Sequence, residues 1–410
     1  MLSMDEALEA LLAAASPVGE TETVSTFEGH GRVLARAVRS TLNVPPADNT
    51  SMDGYALRSA DAAAPGAVLK VAQRIPAGTV GQPLAAGTAA RIFTGALIPQ
   101  GADAVVMQES TKAEGDGDEM RVTINEAVTA GQWVRYAGED IKAGAEVLSP
   151  GARLSPQACG LAASVGLAEL TVARRLKVAV FFTGDELAMP GEPLKPGAIY
   201  NSNRFMLRGL IEGLGCACTD FGIVRDTLDE TRRVLREAAR EHDLIITTGG
   251  VSVGEEDHVR PAVELEGEIK LWQISMKPGK PLAYGKVRRP GVENASSMAN
   301  FIGLPGNPVS SFVTFLLFVR PFILKCQGVA EVAPKGLQMR ADFDWPKPDR
   351  RREFMRARMN AEGGLDIFPN QSSGVLTSTV WGDGLIDTPS NHIIKRGDLV
   401  RFLPFSELLA

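Results

Sequence analysis

The run LKVAVFFTGDE (176–186) decides the fold of the central part of this 410-residue chain. Apolar residues follow one another from Val178 to Phe182 without polar alternation, which is typical of a strand covered on both faces. A glycine and two acids follow directly, so the strand ends in a polar loop. In open α/β sheets, ligands bind beyond the carboxyl ends of the strands. The run therefore predicts a buried strand and a candidate binding edge.

Strands and helices alternate after this run. The segment NSNRFMLRGLIEGLG (201–215) predicts a helix that begins at an Asn or Ser cap and ends just before Gly215. The later elements predicted are strands at 218–224 and 242–250, helices beginning near Asp226 and spanning about 257–266, strands at 269–275 and 301–306, and a helix at 307–326. This alternation predicts a mostly parallel α/β domain at 174–328.

The sequence on either side of this domain has a different pattern of residue types. Residues 49–138 contain recurrent Gly, Pro and Thr between short β-rich runs, which predicts a small β-barrel or sandwich. Helix-type and extended sequence brackets this block at 1–48 and 139–173, so we expect it to be inserted into an extended, discontinuous domain. Residues 329–410 return to short strands and turns, which predicts a small all-β domain. The fold class expected is multidomain α/β plus β.

Composition excludes some classes of partner. The net charge is −6, from 43 basic and 49 acidic residues, so bulk binding to nucleic-acid phosphates is not expected. The amino-terminal residues MLSMDEALEALLAAAS lack the basic start of a signal peptide. The most apolar stretch, VSSFVTFLLFV (309–319), is shorter than the roughly 20 residues that span a bilayer. We expect a cytoplasmic protein with no membrane partner.

Three glycine- or proline-rich loops, each with or near acids, follow predicted strands: FTGDE (182–186), TTGGVSVGEED (247–257) and LPGNP (304–308). Asn307 can cap a helix whose first residue is Pro308, and such a helix start suits phosphate. Each loop alone is equally explained as an ordinary turn. Together at one sheet edge, they indicate an anion site.

Acids and lysines accompany these loops. Asp226 and Asp257 are each explained by helix capping, whereas Glu186 has no evident capping role and is the strongest functional candidate. Oxygen-only ligands suit Mg²⁺ rather than zinc. Lys277 and Lys280 flank a Pro-Gly turn, which is either a solvated turn or a cationic clamp. This combination of acids, lysines and glycine-rich loops fits phosphoanhydride chemistry, which depends on positioning and charge neutralisation.

The sequence as a whole resembles the molybdopterin molybdotransferases, the family of MoeA and the gephyrin E-domain. The resemblance spans residues 1 to about 405 and rests on eight motifs that occur in the family's order. They are SMDGYAL (51–57), RIFTGALIPQGADAVVMQE (91–109), GEDI (138–141), TGDEL (183–187), IYNSNRFML (199–207), TTGGVSVGEEDHV (247–259), MKPGKPLAYG (276–285) and GLPGNPVSSF (303–312).

The resemblance implies site residues by motif match. The acids and lysines of the family site fall on Asp53, Asp140, Glu186, Asp226, Asp257, Lys277 and Lys280, of which Glu186, Asp226 and Asp257 would hold Mg²⁺. Substrate contacts are implied for Thr94, Thr183, Gly249, Gly250, Ser252, Gly254, Pro305, Gly306, Asn307, Arg352 and Ser373. Arg351 and Ser372 are neighbouring alternatives to the matches in the looser carboxyl-terminal alignment.

The resemblance also implies fold and activity. It implies four domains, the last a β-barrel, and an elongated homodimer in which Asp53, Thr94 and Asp140 reach the site of the opposite subunit. The activity implied is insertion of molybdenum from molybdate into molybdopterin-AMP, with Mg²⁺-dependent release of AMP. The dithiolene belongs to the substrate, so no catalytic cysteine is expected. The molybdopterin adenylyltransferase is a candidate partner.

Three alternatives remain open from the sequence. The first is the preceding reaction, adenylylation of molybdopterin, since adenylyltransferases share the α/β domain. The second is a non-catalytic dimeric scaffold of the gephyrin type that binds partner peptides. The third is a paralogue devoted to tungstate, an oxyanion with the same charge and nearly the same size as molybdate.

Overall fold

A computed structural model of the chain describes residues 1–250, 258–291 and 298–409. The first segment forms helix α1 (Met4–Ala14) and strands β1 (Thr21–Ser25) and β2 (Val38–Arg39). A capping box fixes the start of α1, since Ser3 and Glu6 bond each other's backbone N–H groups. The apolar face of α1 contributes Met4 and Leu11 to the core of the α/β unit described below.

The β-rich block forms one six-stranded sheet in the order β7-β4-β6-β5-β9-β8. Its strands, with the short preceding β3, are β3 (Asn49–Thr50), β4 (Gly54–Leu57), β5 (Ala67–Ile75), β6 (Thr88–Ile92), β7 (Ala104–Met107), β8 (Thr111–Glu114) and β9 (Arg121–Ile124). An apolar cluster covers each face of the sheet. The β-rich prediction for 49–138 is confirmed, but within this described block the sheet does not close into a barrel.

The chain then returns to pair with the first segment. It forms β10 (Val134–Arg135), β11 (Glu146–Leu148), α2 (Pro156–Ser164) and β12 (Glu169–Ala173). Strand β11 pairs with β2 and β12 pairs with β1, both antiparallel, while β10 pairs with β3 at the junction. Residues on both sides of the β-rich block thus share hydrogen bonds, although the exact domain limits stay a prediction.

The α/β unit contains a six-stranded sheet in the order β16-β13-β17-β21-β20-β18. Its elements are β13 (Lys177–Thr183), β14 (Leu187–Ala188), β15 (Ile199–Tyr200), α3 (Ser202–Gly213), β16 (Ala217–Val224), α4 (Leu228–Glu241), β17 (Leu244–Thr248), α5 (Val259–Glu266), β18 (Gly267–Gln273), β19 (Met276–Lys277), β20 (Pro281–Arg288), β21 (Met298–Leu304) and α6 (Pro308–Cys326). The pairs between β16, β13, β17 and β21 are parallel, and β20 and β18 add antiparallel strands. The predicted mostly parallel sheet is confirmed.

Helices cover both faces of this sheet. Helices α3 and α6 pack on one face through residues such as Leu207 and Phe315, and α4 and α5 pack on the other through Leu235 and Val263. Alternate residues of β13 serve the two faces: Val180 lies in the first cluster and Phe181 in the second. Burial on both sides explains why this strand reads as an uninterrupted apolar run.

Helix α6 is the longest and most apolar helix among the described residues. Within that part of the chain it is also the one helix long and apolar enough to meet the length and composition of a membrane span. Its most apolar window is 94% buried inside the structure, which is the environment of a core helix.

The carboxyl-terminal residues form a closed five-stranded barrel. Its strands are β22 (Leu337–Ala341), β23 (Arg352–Met359), β24 (Gly364–Ile367), β25 (Gly384–Thr388) and β26 (Leu399–Pro404). The short helix α7 (Thr377–Trp381) lies between β24 and β25, and α8 (Phe405–Leu408) follows β26. The ring runs β23-β24-β22-β26-β25 and closes through the pairing of β23 with β25. The barrel implied by the family resemblance is confirmed, and β23 also pairs in parallel with β19 of the α/β unit.

Candidate active site between the strand ends and the barrel

Four parallel strands end at one edge of the α/β sheet. Thr183 lies opposite Val224 on the neighbouring strand, and Thr248 lies opposite Leu304. The loops that follow these residues therefore meet at the same edge, as the sequence predicted.

A cavity of about 550 Å³ lies between this edge and the barrel. Eight of the predicted site residues line it: Gly249, Gly250, Lys277, Lys280, Pro305, Gly306, Asn307 and Ser373. Lys277, Lys280 and Arg351 bring positive charge, and no acidic residue is among the described residues that line it. The cavity is thus suited to an anionic ligand.

The LPGN loop is held from both sides. Asn307 occupies the cap position and Pro308 the first position of α6, as predicted, although the Asn307 side chain makes no capping bond. The backbone N–H of Val309 instead donates to the Ser373 carbonyl of the barrel loop, over 3.0 Å. Asn203 at the start of α3 donates from Nδ2 to the Gly306 carbonyl over 2.8 Å. Sequence reasoning missed Asn203 because it sits where a helix cap was expected.

The turn between the two lysines packs against α6. Gly279 has φ of +99°, a conformation that favours glycine. A Cβ atom at this position would lie 2.4 Å from the Thr314 hydroxyl oxygen. Lys277 and Lys280 are therefore presented by a turn whose geometry depends on glycine.

The barrel supplies acids that sequence reasoning missed. The Lys277 ammonium lies 2.8 Å from Glu353 and 3.5 Å from Asp349. Glu353 is 3% exposed and also accepts a hydrogen bond from the Trp345 indole N–H. Asp349 pairs with Arg351, which holds the pKa of Asp349 well below its ordinary value. These contacts follow from the pairing of β19 with β23, which no local pattern reveals.

The structure corrects the prediction for Arg352. Arg351 lines the cavity, whereas Arg352 forms a bidentate pair with Asp387 and reaches Asp5 in a separate cavity. Successive side chains of extended chain point to opposite faces, so a shift of one residue reverses the placement. Ser372 and Ser373 both line the cavity.

The structure describes two of the three acidic residues that are predicted to bind magnesium. Glu186 is exposed in the loop after β13, and Asp226 is half-buried in the loop after the adjacent β16. Asp257, Ser252 and Gly254 lie outside the described residues. The interpretation of Asp226 as a helix cap is wrong, since Thr227 occupies the cap position of α4 and makes no side-chain capping bond.

The nearby donors fit a hard cation by type. They are carboxylate oxygens, and the buried Thr183 hydroxyl in the same strand end has no hydrogen-bond partner among the described residues. Those residues contain no group of three His, Cys, Asp or Glu that could enclose a metal. A complete carboxylate set would thus need a residue beyond those described, such as Asp257.

Asp53 and Thr94 form a separate unit on the β-rich block. The Thr94 backbone N–H and hydroxyl both donate to one Asp53 carboxylate oxygen, over 2.8 and 2.7 Å. These bonds lower the pKa of Asp53 from its ordinary value. Asp140 is exposed, and its backbone N–H donates to Val44. None of the three lines the cavity of its own chain.

The substitution Thr94→Val should raise the pKa of Asp53 toward its ordinary value, because it removes the hydroxyl donor and keeps the shape of the side chain. The measurement is a carboxyl ¹³C NMR titration of Asp53 in both proteins. Asp103, which accepts bonds from Ser59 in the same block, provides the internal control. An unchanged Asp53 titration would show that the hydroxyl bond does not stabilise its charge.

The fold and the cavity define a class of protein: a multidomain α/β protein with a cationic cavity between the strand ends of its sheet and a carboxyl-terminal barrel. Comparison with known families specifies it further. Residues 2–166 match the MoeA N-terminal region (domain I and II), residues 179–325 a probable molybdopterin binding domain, and residues 338–405 the MoeA C-terminal region (domain IV).

Relatives match along the whole chain. The molybdopterin molybdenumtransferase of Haemophilus influenzae is 38% identical over all of both chains. That of a Nostoc species is 35% identical over 90% of this chain and 85% of its own. The crystal structure of the molybdopterin biosynthesis moeA protein of Pyrococcus horikoshii superimposes with a TM-score of 0.83 at 29% identity, covering 98% of this chain and 100% of its own. The chain belongs to the MoeA family.

Proposed function

We propose that this protein is a transferase of molybdenum cofactor biosynthesis that inserts molybdenum from molybdate into molybdopterin-AMP and releases AMP. The observation that carries the proposal is the cationic cavity between the strand-end loops and the barrel. The relatives that match the full chain are named molybdopterin molybdenumtransferases, which favours this reaction over adenylylation or a purely scaffolding role.

Three kinds of group in the cavity would bind the anionic substrates. Backbone groups of the glycine loops can approach phosphate closely because no Cβ intervenes. Lys277 and Lys280 would donate to anionic oxygens of molybdate or of the phosphoanhydride. The amino end of α6, fixed by Asn203 and Ser373, adds a favourable dipole for the same charge. Together these groups would hold the two anionic substrates side by side.

Magnesium would be held by Glu186 together with Asp226 or Asp257. The oxygen donors of the described part of this set fit such a cation. When bound, Mg²⁺ withdraws charge from the phosphoanhydride.

The bond changes then follow from the substrates. The two dithiolene sulfurs bond to molybdenum and displace oxygen as water, and hydrolysis of the phosphoanhydride releases AMP. The protein needs no thiol for this chemistry. Burial raises the pKa values of the Cys216 and Cys326 thiols to about 12, and none of the four cysteines lines the cavity.

We further propose a cytoplasmic homodimer. Asp53, Thr94 and Asp140 lie away from the cavity of their own chain, so they could act only at the cavity of a second copy. The adenylyltransferase that makes molybdopterin-AMP is the proposed delivery partner.

The experiment that tests the proposal is a single-turnover assay of AMP release from purified molybdopterin-AMP, with and without Mg²⁺ and molybdate. Release that requires both supports the transferase. ATP-dependent formation of molybdopterin-AMP instead would assign the adenylyltransferase reaction, and neither activity from a folded dimer would favour a scaffold. Repeating the assay with tungstate compares the two oxyanions.

Glu186→Ala should lower the rate of AMP release at a fixed, subsaturating Mg²⁺ concentration by about tenfold or more, because it removes a carboxylate ligand. Raising the Mg²⁺ concentration should restore part of the rate. Glu264→Ala, which removes an exposed carboxylate on α5, is the matched control. Release by Glu186→Ala at the wild-type rate would remove Glu186 from the metal site.

A further inference from the structure

The two lysines of the cavity differ in their electrostatic environment. Lys277 is 35% exposed in its side chain and contacts two carboxylates, Glu353 and Asp349. Lys280 is exposed and forms no ion pair with any described residue. Sequence alone presents these lysines as an equivalent pair around one turn, so this difference arises from the fold.

The pairing of Lys277 is fixed by the backbone. Lys277 and Glu353 lie opposite each other in the parallel pairing of β19 with β23. The Trp345 indole N–H holds the second oxygen of Glu353 over 3.2 Å. A carboxylate as buried as Glu353 is stable only with a compensating charge, and Lys277 supplies it.

A second neutral pair completes the cluster. Arg351 contacts Asp349 over 3.0 Å, and Asp349 also faces Lys277. Lys277, Arg351, Asp349 and Glu353 thus carry no net charge together. Lys280 remains as the uncompensated cation among the described residues that line the cavity.

We infer that Glu353 is a positioning residue that holds and neutralises Lys277, so that, among the described residues that line the cavity, Lys280 sets the net charge that an oxyanion meets. This inference rests on the proposed function of the cavity and refines it. The barrel limits oxyanion affinity through a buried acid, which favours exchange of a divalent oxyanion over permanent occupancy.

The test is calorimetric titration of inorganic molybdate into the full-length protein and three variants. Glu353→Gln should bind molybdate about tenfold more tightly, because it removes one negative charge that lies 2.8 Å from Lys277 in the cavity lining. Lys277→Met should bind about tenfold more weakly, because it removes one positive charge from the lining of the cavity. The double variant should return to within about threefold of wild type, because the pair has no net charge.

Two further variants distinguish the effect of charge on molybdate affinity from a loss of protein stability. Glu353→Asp retains the charge and should keep molybdate affinity within about threefold of wild type. Asp387→Asn neutralises another buried carboxylate of the same barrel, one that pairs with Arg352 away from the cavity. It should lower the melting temperature and leave molybdate affinity unchanged.

The outcomes are distinguishable. Equal or weaker binding by Glu353→Gln, or a double variant as weak as Lys277→Met, would overturn the inference while leaving the proposed function in place. Wild-type protein that binds no molybdate in the presence or absence of molybdopterin-AMP would overturn both. In turnover, the KM for molybdate of Glu353→Gln should fall without a rise in kcat, whereas a purely structural defect would lower the active fraction alone.

Discussion

Replacement of Lys280 by methionine is expected to lower the rate of molybdate-dependent AMP release by about 10²- to 10³-fold, the usual cost of removing a preorganised donor to developing negative charge. Lys280 is the cavity lysine that has no carboxylate partner among the described residues. Its charge is therefore available to the substrates without breaking an existing pair. Methionine retains the length of the aliphatic stem, so the change isolates the ammonium group.

The Lys280→Met measurement is a single-turnover time course at saturating Mg²⁺ and molybdate. Lys270→Met, which removes a lysine from the edge strand β18 of the same sheet, is the matched control and should keep the wild-type rate. A fall of less than about threefold in Lys280→Met would contradict a direct role for this charge, given the expected loss.

Gly279→Ala is expected to lower the rate of AMP release by about 100-fold, because displacement of catalytic groups by about 1 Å can cost this much. The added Cβ would lie 2.4 Å from the Thr314 hydroxyl oxygen, and the residue has φ of +99°. Thr314 lies on α6, the helix that begins at the LPGN loop. The clash is therefore expected to move the turn that carries Lys277 and Lys280 away from the LPGN loop on the other side of the cavity.

Two comparisons separate the clash from the backbone strain. Gly363→Ala has a similar positive φ of +74° with nothing within 4 Å of the added Cβ, so it should lose stability by about 1–2 kcal/mol and keep the rate. Gly279→Ala combined with Thr314→Ala removes the contacted hydroxyl and should recover at least part of the rate. Equal losses in the single and double variants would attribute the effect to strain rather than to the contact.

Sequence predicted the α/β unit because its signals are local. The apolar run before Thr183, the glycines after Thr248 and the Asn-Pro step at α6 each specify an element and its end. The parallel order then brings these ends to one edge without further information. Five predicted residues line the cavity for this reason, namely Gly249, Gly250, Pro305, Gly306 and Asn307.

The contacts of the barrel were not predictable in the same way. Glu353 reaches Lys277 through a two-residue strand pairing that joins distant parts of the chain. A shift of one residue in the strand register decides whether Arg351 or Arg352 faces the cavity, and amino-acid composition does not specify this register. The β-rich block was likewise recognised as β structure, but the closure of its sheet depends on pairing between distant strands.

The most direct test of the proposed molybdenum insertion is the ratio of molybdenum bound in the pterin product to AMP released. The product would be separated from the protein and from free molybdate, and its molybdenum content measured by mass spectrometry. We expect one molybdenum per AMP, because the same cavity is proposed to position the dithiolene, the oxyanion and the phosphoanhydride. Release of AMP together with a pterin product that contains no molybdenum would contradict the proposed molybdenum insertion.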